Sequence, residues 1–206
     1  MTRYVGRENV RKRLEPLAGR AGRTVYAGGS ARIETAEETL TVTPPFGLSH
    51  EEAYDRVELG PLFEALSRDH TVAAILVRRG GYAVGVFEGE RLLASKVGTR
   101  FVKGRHKKGG SSANRFRRRR EEQERELLDA AADTARAVLE PWRDRVEYVA
   151  LGGDRGAATD VADRLPWLAA PRLERFFDVP DPRQRVLERL PYDLYAAELT
   201  EEPARP

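Results

Sequence analysis

Residues 71–99 read TVAAILVRRGGYAVGVFEGERLLASKVGT, and this stretch decides the fold. TVAAILV (71–77) is a nearly continuous apolar run of strand length, the pattern of a strand buried on both faces. Arg78-Arg79-Gly80-Gly81 spells a turn, and YAVGVFEG (82–89) is the returning strand. Glu88-Gly89-Glu90 turns again, and RLLASKVGT (91–99) supplies a third strand. Three consecutive strands joined by short turns make an antiparallel meander.

The meander runs directly into Arg100–Arg120, RFVKGRHKKGGSSANRFRRRR. That segment carries ten Lys or Arg residues (Arg100, Lys103, Arg105, Lys107, Lys108, Arg115, Arg117, Arg118, Arg119, Arg120), plus His106 and no acid. The whole chain is only +3, so everything outside the segment is net acidic. One basic patch on an otherwise acidic protein is a targeted polyanion contact.

Beyond the patch the pattern changes to a long helix, roughly Ala113 to Glu140 and ended by Pro141. Leu127, Leu128, Ala131, Ala135, Val138 and Leu139 recur at helical spacing in its second half. Its first half has almost nothing apolar beyond Phe116, so it is expected to be anchored at its C-terminal end and to project into solvent. VEYVALGG (146–153) reads as another buried strand, followed by a helix over about 157–165. Residues 172–199 read as short helices and an edge segment. The result is an α/β mixed-sheet domain over about 71–200, with 201–206 as a tail.

Upstream, residues 1–20 read as a basic amphipathic helix with Val10, Leu14 and Leu17 on one face. Residues 23–43 alternate, placing Val25, Ile33, Leu40 and Val42 in short antiparallel strands. This N-terminal extension (1–45) ends at Pro44-Pro45-Phe46-Gly47. A helical connector (46–70) follows, with a capping box at Ser49 and Glu52 and a second helix from Pro61 to Arg68.

Composition removes several chemistries. Without cysteine there is no disulfide, thiolate zinc site or thiol nucleophile. With three His in all (His50, His70, His106), a His-built metal site is not expected, and neither metal nor organic cofactor is assigned. The charged N-terminus, MTRYVGRENVRKRLEP, suits neither signal peptide nor anchor. No apolar run approaches the roughly 18 residues that span a bilayer. A cytoplasmic, monomeric protein without a membrane partner is expected.

The plain reading of the arginines is a solvated face paired with Glu121, Glu122 and Glu124. Arg N-terminal to Glu at i,i+4 is, however, the weaker order for a helix pair. Arginines in the first turns also face the positive end of the helix dipole. A cluster that local physics disfavours suits an external anion, and guanidinium forks match phosphates bidentately. Gly104, Gly109 and Gly110, with Ser111 and Ser112, make a loop without bulky side chains, where backbone N–H groups can approach a ligand closely. It is not a Walker loop, since no Lys follows Gly109. Gly152-Gly153-Asp154-Arg155-Gly156 is read as an ordinary βα turn rather than a nucleotide site. Trp142, Trp167, Phe176, Phe177, Tyr192 and Tyr195 are read as packing residues.

KGRHKKGGSSANRFRRRREE resembles the GGQ loop of class-I eukaryotic and archaeal translation release factors, where the pattern is KHxxGGQSAxRFxRxRxE. AAILVRRGGYAVGVFEGERLLASKVGT resembles the meander of the same domain, and YVALGGDRGAATDVADRL its later strand and helix. Size and the GGSS form look most like the Vms-like release factor family, in its actinobacterial branch. The resemblance spans about residues 71–170 and implies an RNase-H-like fold. It also implies peptidyl-tRNA release at the peptidyl transferase centre of the large ribosomal subunit, with ribosomal RNA as a further partner.

Carried over residue by residue, the family's two glycines fall on Gly109 and Gly110, and its glutamine falls on Ser111. Ser112, Ala113, Arg115 and Phe116 match the residues that follow. The resemblance implies a loop tip of Gly109, Gly110, Ser111 and Ser112. Backbone donors at Gly110 and Ser111 would stabilise an oxyanion, and a serine hydroxyl would hold water. At 206 residues there is no room for codon-reading domains, so a rescue or quality-control role is expected rather than stop-codon decoding. Two alternatives stay open: cleavage of the tRNA 3′ end using Arg105 and His106, and a non-catalytic RNA-binding factor.

Overall fold

The computed structural model describes residues 1–100 and 113–204. In chain order the strands and helices are β1 (Thr2–Gly6), α1 (Arg7–Leu14), β2 (Arg23–Ala27), β3 (Ser30–Glu34), β4 (Glu38–Thr43), β5 (Glu52–Tyr54) and α2 (Gly60–Ser67). The meander follows as β6 (Thr71–Arg78), β7 (Gly81–Glu88) and β8 (Arg91–Thr99). Next come α3 (Ala113–Leu139), β9 (Tyr148–Gly153), α4 (Arg155–Asp163), α5 (Gln184–Leu194) and β10 (Ala196–Pro203). The chain divides into two compact units, one of residues 1–69 with 192–206, the other of residues 70–191.

The first unit is a six-stranded antiparallel sheet in the order β1-β10-β4-β3-β2-β5. Alternation along β3 and β4 turns Ala31, Ile33, Leu40 and Val42 inward, where Val10, Leu14 and Leu62 of the two helices meet them. Tyr26 is buried among them, its hydroxyl donating to the carbonyl oxygen of Glu58 at 2.7 Å. Burial pushes that phenol up to about 12.

The second unit holds a four-stranded sheet in the order β8-β7-β6-β9. β6 is central, antiparallel to β7 and parallel to β9, so both its faces are covered and its apolar run needs no alternation. Val72 through Val77 have no exposed surface. The buried stripe of α3 packs with α4 against the sheet through Leu127, Ala131, Ala135, Leu139, Ala158 and Val161. The turn from β9 into α4 needs glycine: Gly153 has φ +91°, and a Cβ there would lie 2.2 Å from the Val77 carbonyl oxygen. Asp154 then caps α4, its side chain accepting from the Ala157 N–H at 2.9 Å. The Gly-Gly-Asp-Arg-Gly run is therefore the βα turn read from the sequence.

Four local expectations change. Residues 1–20 are a strand, a short helix and a 3-10 turn (Glu15–Leu17) rather than one helix, because β1 finds a partner in β10. Val10, Leu14 and Leu17 are nonetheless its buried residues. Ser49 and Glu52 open no helix; Glu52–Tyr54 is an edge strand paired with β2. Val25 faces away from the core, while its neighbours Thr24 and Tyr26 point in. Ala196–Pro203, grouped by the sequence with the α/β domain and tail, lies between β1 and β4 in the first sheet.

The aromatic residues divide more finely than their reading as packing residues. Phe177 is buried where it bridges to Gly152 on the open side of β9. Trp142, Trp167 and Phe176 are half-buried against the second core. Tyr195 is buried, whereas Tyr192 is exposed and lies over Gly6.

Candidate nucleic-acid interface

The basic segment is entered from β8 and left through α3. Arg100 extends the β8 ladder, its N–H donating to the Gly80 carbonyl oxygen at 3.0 Å, and its side chain is exposed. Lys103, Arg105, His106, Lys107 and Lys108 lie outside the described residues, as do Gly109, Gly110, Ser111 and Ser112. α3 supplies the described cations: Arg115, Arg117, Arg118 and Arg119 are exposed and Arg120 is half-buried.

Helical spacing sorts these arginines into two sets. Arg120 stands seven residues before Leu127, and Arg117 and Glu124 stand at heptad steps before Ala131, so they continue the core-facing stripe beyond the sheet. They are paired there, Arg117 with Glu121 at 3.6 Å and Arg120 with Glu124 at 3.7 Å. Arg115, Arg118 and Arg119, at i, i+3 and i+4, share the other side. Among the described residues these three form no ion pair. Arg125, seven residues beyond Arg118, is exposed and also makes no ion pair among the described residues. Arg125 stands among acids in the sequence, and its heptad spacing from Arg118 is the signal that places it on this side. Glu122, Glu126, Asp129 and Asp133 continue the outward side, so its charge reverses after about two turns.

Three tethers hold the frame of the segment. Arg164 of the α4 C-terminus bridges Asp160 at 2.5 Å and Asp129 of α3 at 2.7 Å. The carboxylates, Asp160 first and then Asp129, raise its already high pKa, and the bridge stands where α3 ceases to be buried. Thr134 of α3 donates to the Tyr82 hydroxyl at 3.1 Å inside the core. The Tyr82 ring lies over its cross-strand partner Gly98.

Neither glutamine stands at the start of α3. Gln123 is about 15 Å along the helix from Ala113. Gln184, on α5, accepts from Ser95 at 3.2 Å and donates to Glu188 at 3.3 Å. Among the described residues there is no cluster of three or more His, Asp or Glu suited to a metal, and no helix long and apolar enough to cross a membrane.

A meander that leads through one basic segment into a half-exposed, arginine-faced helix defines an α/β protein whose densest run of cations joins sheet and helix. Over residues 70–200, more than half of its length, the sequence matches the family described as Actinobacteria/chloroflexi VLRF1 release factor. The chain belongs to that family. It is 32% identical over 133 residues to peptide chain release factor subunit 1 of Archaeoglobus fulgidus, covering 63% of this chain and 33% of the relative. The chain thus spans about a third of that protein's length. Among solved structures it is similar to an archaeal translation termination factor, aRF1 (TM-score 0.45, 16% identity, 76% of this chain and 50% of the other). It is also similar to a Vms1 mitochondrial localization core (TM-score 0.41, 12% identity, 93% and 80%).

Proposed function

We propose that this protein acts in the cytoplasm as a monomeric ribosome-rescue factor that hydrolyses peptidyl-tRNA at the large subunit without reading a codon. The observation that carries the reading is the row Arg115, Arg118 and Arg119, exposed and unpaired among the described residues, at the exit of a glycine-rich basic segment in a release-factor family member. Uncompensated guanidinium groups on one side of a helix suit phosphates of tRNA or ribosomal RNA. The loop cations Lys103, Arg105, His106, Lys107 and Lys108, with Arg100, extend that contact. Gly109 and Gly110 let the backbone approach the ester, with N–H groups of Gly110 and Ser111 facing the developing oxyanion. Ser111 stands where the related pattern has glutamine, and its hydroxyl or that of Ser112 orients the attacking water. The water adds to the ester carbonyl, the tRNA 3′ oxygen leaves with a proton, and the peptide is released as an acid.

The test presents the purified protein with stalled ribosomal complexes carrying labelled peptidyl-tRNA, beside a Gly109→Ala, Gly110→Ala variant. Free peptide and intact tRNA, lost in the variant, are expected. Peptide bearing a 3′ nucleotide fragment would assign tRNA cleavage instead. Binding without product would leave an RNA-binding factor.

A further inference from the structure

Both stems of the basic segment are tied to one three-residue stretch, Gly80–Tyr82. The incoming stem is held by the Arg100 N–H on Gly80 and by Gly98, which pairs with Tyr82 across β7 and β8. The outgoing stem is held through the Tyr82 hydroxyl, which accepts from Thr134 of α3 at 3.1 Å. Tyr82 and Thr134 are each only 6% exposed, so this is a buried polar bond at the seam between helix and sheet. Gly98 makes room for it. A Cβ at that position would lie 2.3 Å from Cζ and 2.4 Å from the hydroxyl oxygen of Tyr82. The clash falls on the end of the side chain that bonds Thr134. Any side chain at residue 98 therefore displaces the hydroxyl from its place beside Thr134, while the backbone there, with ordinary φ, accepts one.

A small change at that seam is magnified along the helix. α3 has no buried residue among those described before Leu127, so the seating of its buried half bears on where its first half points. Arg117 is about 25 Å from Thr134 along the axis, and each five degrees of tilt moves it by about 2 Å. We propose that Tyr82 is a positioning residue: through Thr134 and Gly98 it sets the direction of the exposed half of α3 against β8. It thereby aims the row Arg115, Arg118, Arg119. Its use in aiming rests on the reading of that row as the phosphate contact, whereas the geometric effect does not.

Because the chain has no native cysteine, a pair of spin labels can be placed cleanly at Lys96→Cys and Arg117→Cys, both exposed. Gly98→Ala, Tyr82→Phe and Thr134→Val are each expected to broaden the label-to-label distance distribution and move its mean by about 2 Å or more. Adding Thr134→Val to Gly98→Ala is expected to change little further, since both act on one bond. Thr134→Val and Tyr82→Phe are near-isosteric and keep the test open should Gly98→Ala fold poorly.

A merely structural role predicts lowered melting temperatures with an unchanged distribution, and that result overturns the proposal. In parallel, affinity for stalled ribosomal complexes is expected to fall about tenfold, the scale of one charge-assisted contact. Affinity for a short single-stranded RNA, which can follow the row wherever it points, should hold. A parent protein that ignores ribosomal complexes would sink the rescue reading, while the distances would still judge Tyr82.

Discussion

Residues 127–139 and residues 113–126 belong to one unbroken helix, yet among the described residues only the first stretch has buried side chains. In the C-terminal half, Leu127, Ala131, Ala135 and Leu139 are buried against the sheet and α4. In the N-terminal half, the same stripe is carried on by Arg117, Arg120, Glu121 and Glu124, which pair with one another. The opposite side is left to Arg115, Arg118 and Arg119. Helix periodicity is thus conserved across the boundary while its content changes from volume to charge. A buried face is specified by shape and fixes where the helix lies; an exposed face is specified by charge and fixes what it meets. The comparison predicts that stability and polyanion binding are separable along a single element.

The largest effect should come from the buried half. Leu139→Ala empties a site with no exposed surface, and such truncations cost about 2–5 kcal/mol. Thermal or urea unfolding is expected to show that loss, while the salt dependence of RNA binding by the folded fraction stays at the parent's slope. A changed slope would mean that the two halves are not independent.

In the exposed half the order of effects reverses. Arg118→Ala with Arg119→Ala should shift stability by no more than about 0.5 kcal/mol, as exposed substitutions do. It should lower the slope of log affinity against log salt by about 1.4, or roughly 0.7 for each single-strand phosphate released. Arg117→Ala with Arg120→Ala removes the same charge from the paired side and should change the slope by less. Equal slopes for the two double variants would show that the ion pairs to Glu121 and Glu124 do not hold those arginines back from RNA.

Much of this was legible in the residues. The run at 71–77 had no alternation because β6 has neighbours and cover on both sides, and the stripe from Leu127 to Leu139 carried its own period. Lys and Arg counts located the basic segment without any structure. What stayed hidden depends on partners far along the chain. Thr2–Gly6 gives no local sign that residues 196–200 will pair with it, so a basic helix was the better local reading. The same lack of a visible partner hid β5 behind Ser49 and Glu52. Glycine inside a strand pattern does announce a close approach. Gly98 stands inside the third strand without having been read that way, and that the approaching group is Tyr82, already bonded to Thr134, is a fact of packing. The arginines paired with Glu121 and Glu124 differ from Arg115, Arg118 and Arg119 in their helical phase relative to Leu127, which the sequence contained and which meant little until the core side was known.

The smallest effect should fall at the boundary itself. Asp129 is the residue of α3 through which Arg164 reaches across from α4, just beyond the last fully charged turn. Asp129→Asn removes one of two carboxylates from Arg164 and leaves Asp160 in place, so the guanidinium keeps a partner. The bridge is partly exposed, and pairs of that kind contribute about 0.2–1 kcal/mol. The expected loss is about 0.5 kcal/mol at low salt, shrinking toward zero near 1 M salt as screening takes hold. A loss that persists at high salt would mean that Asp129 holds α3 by shape as well as charge, as its neighbours Leu127 and Ala131 do.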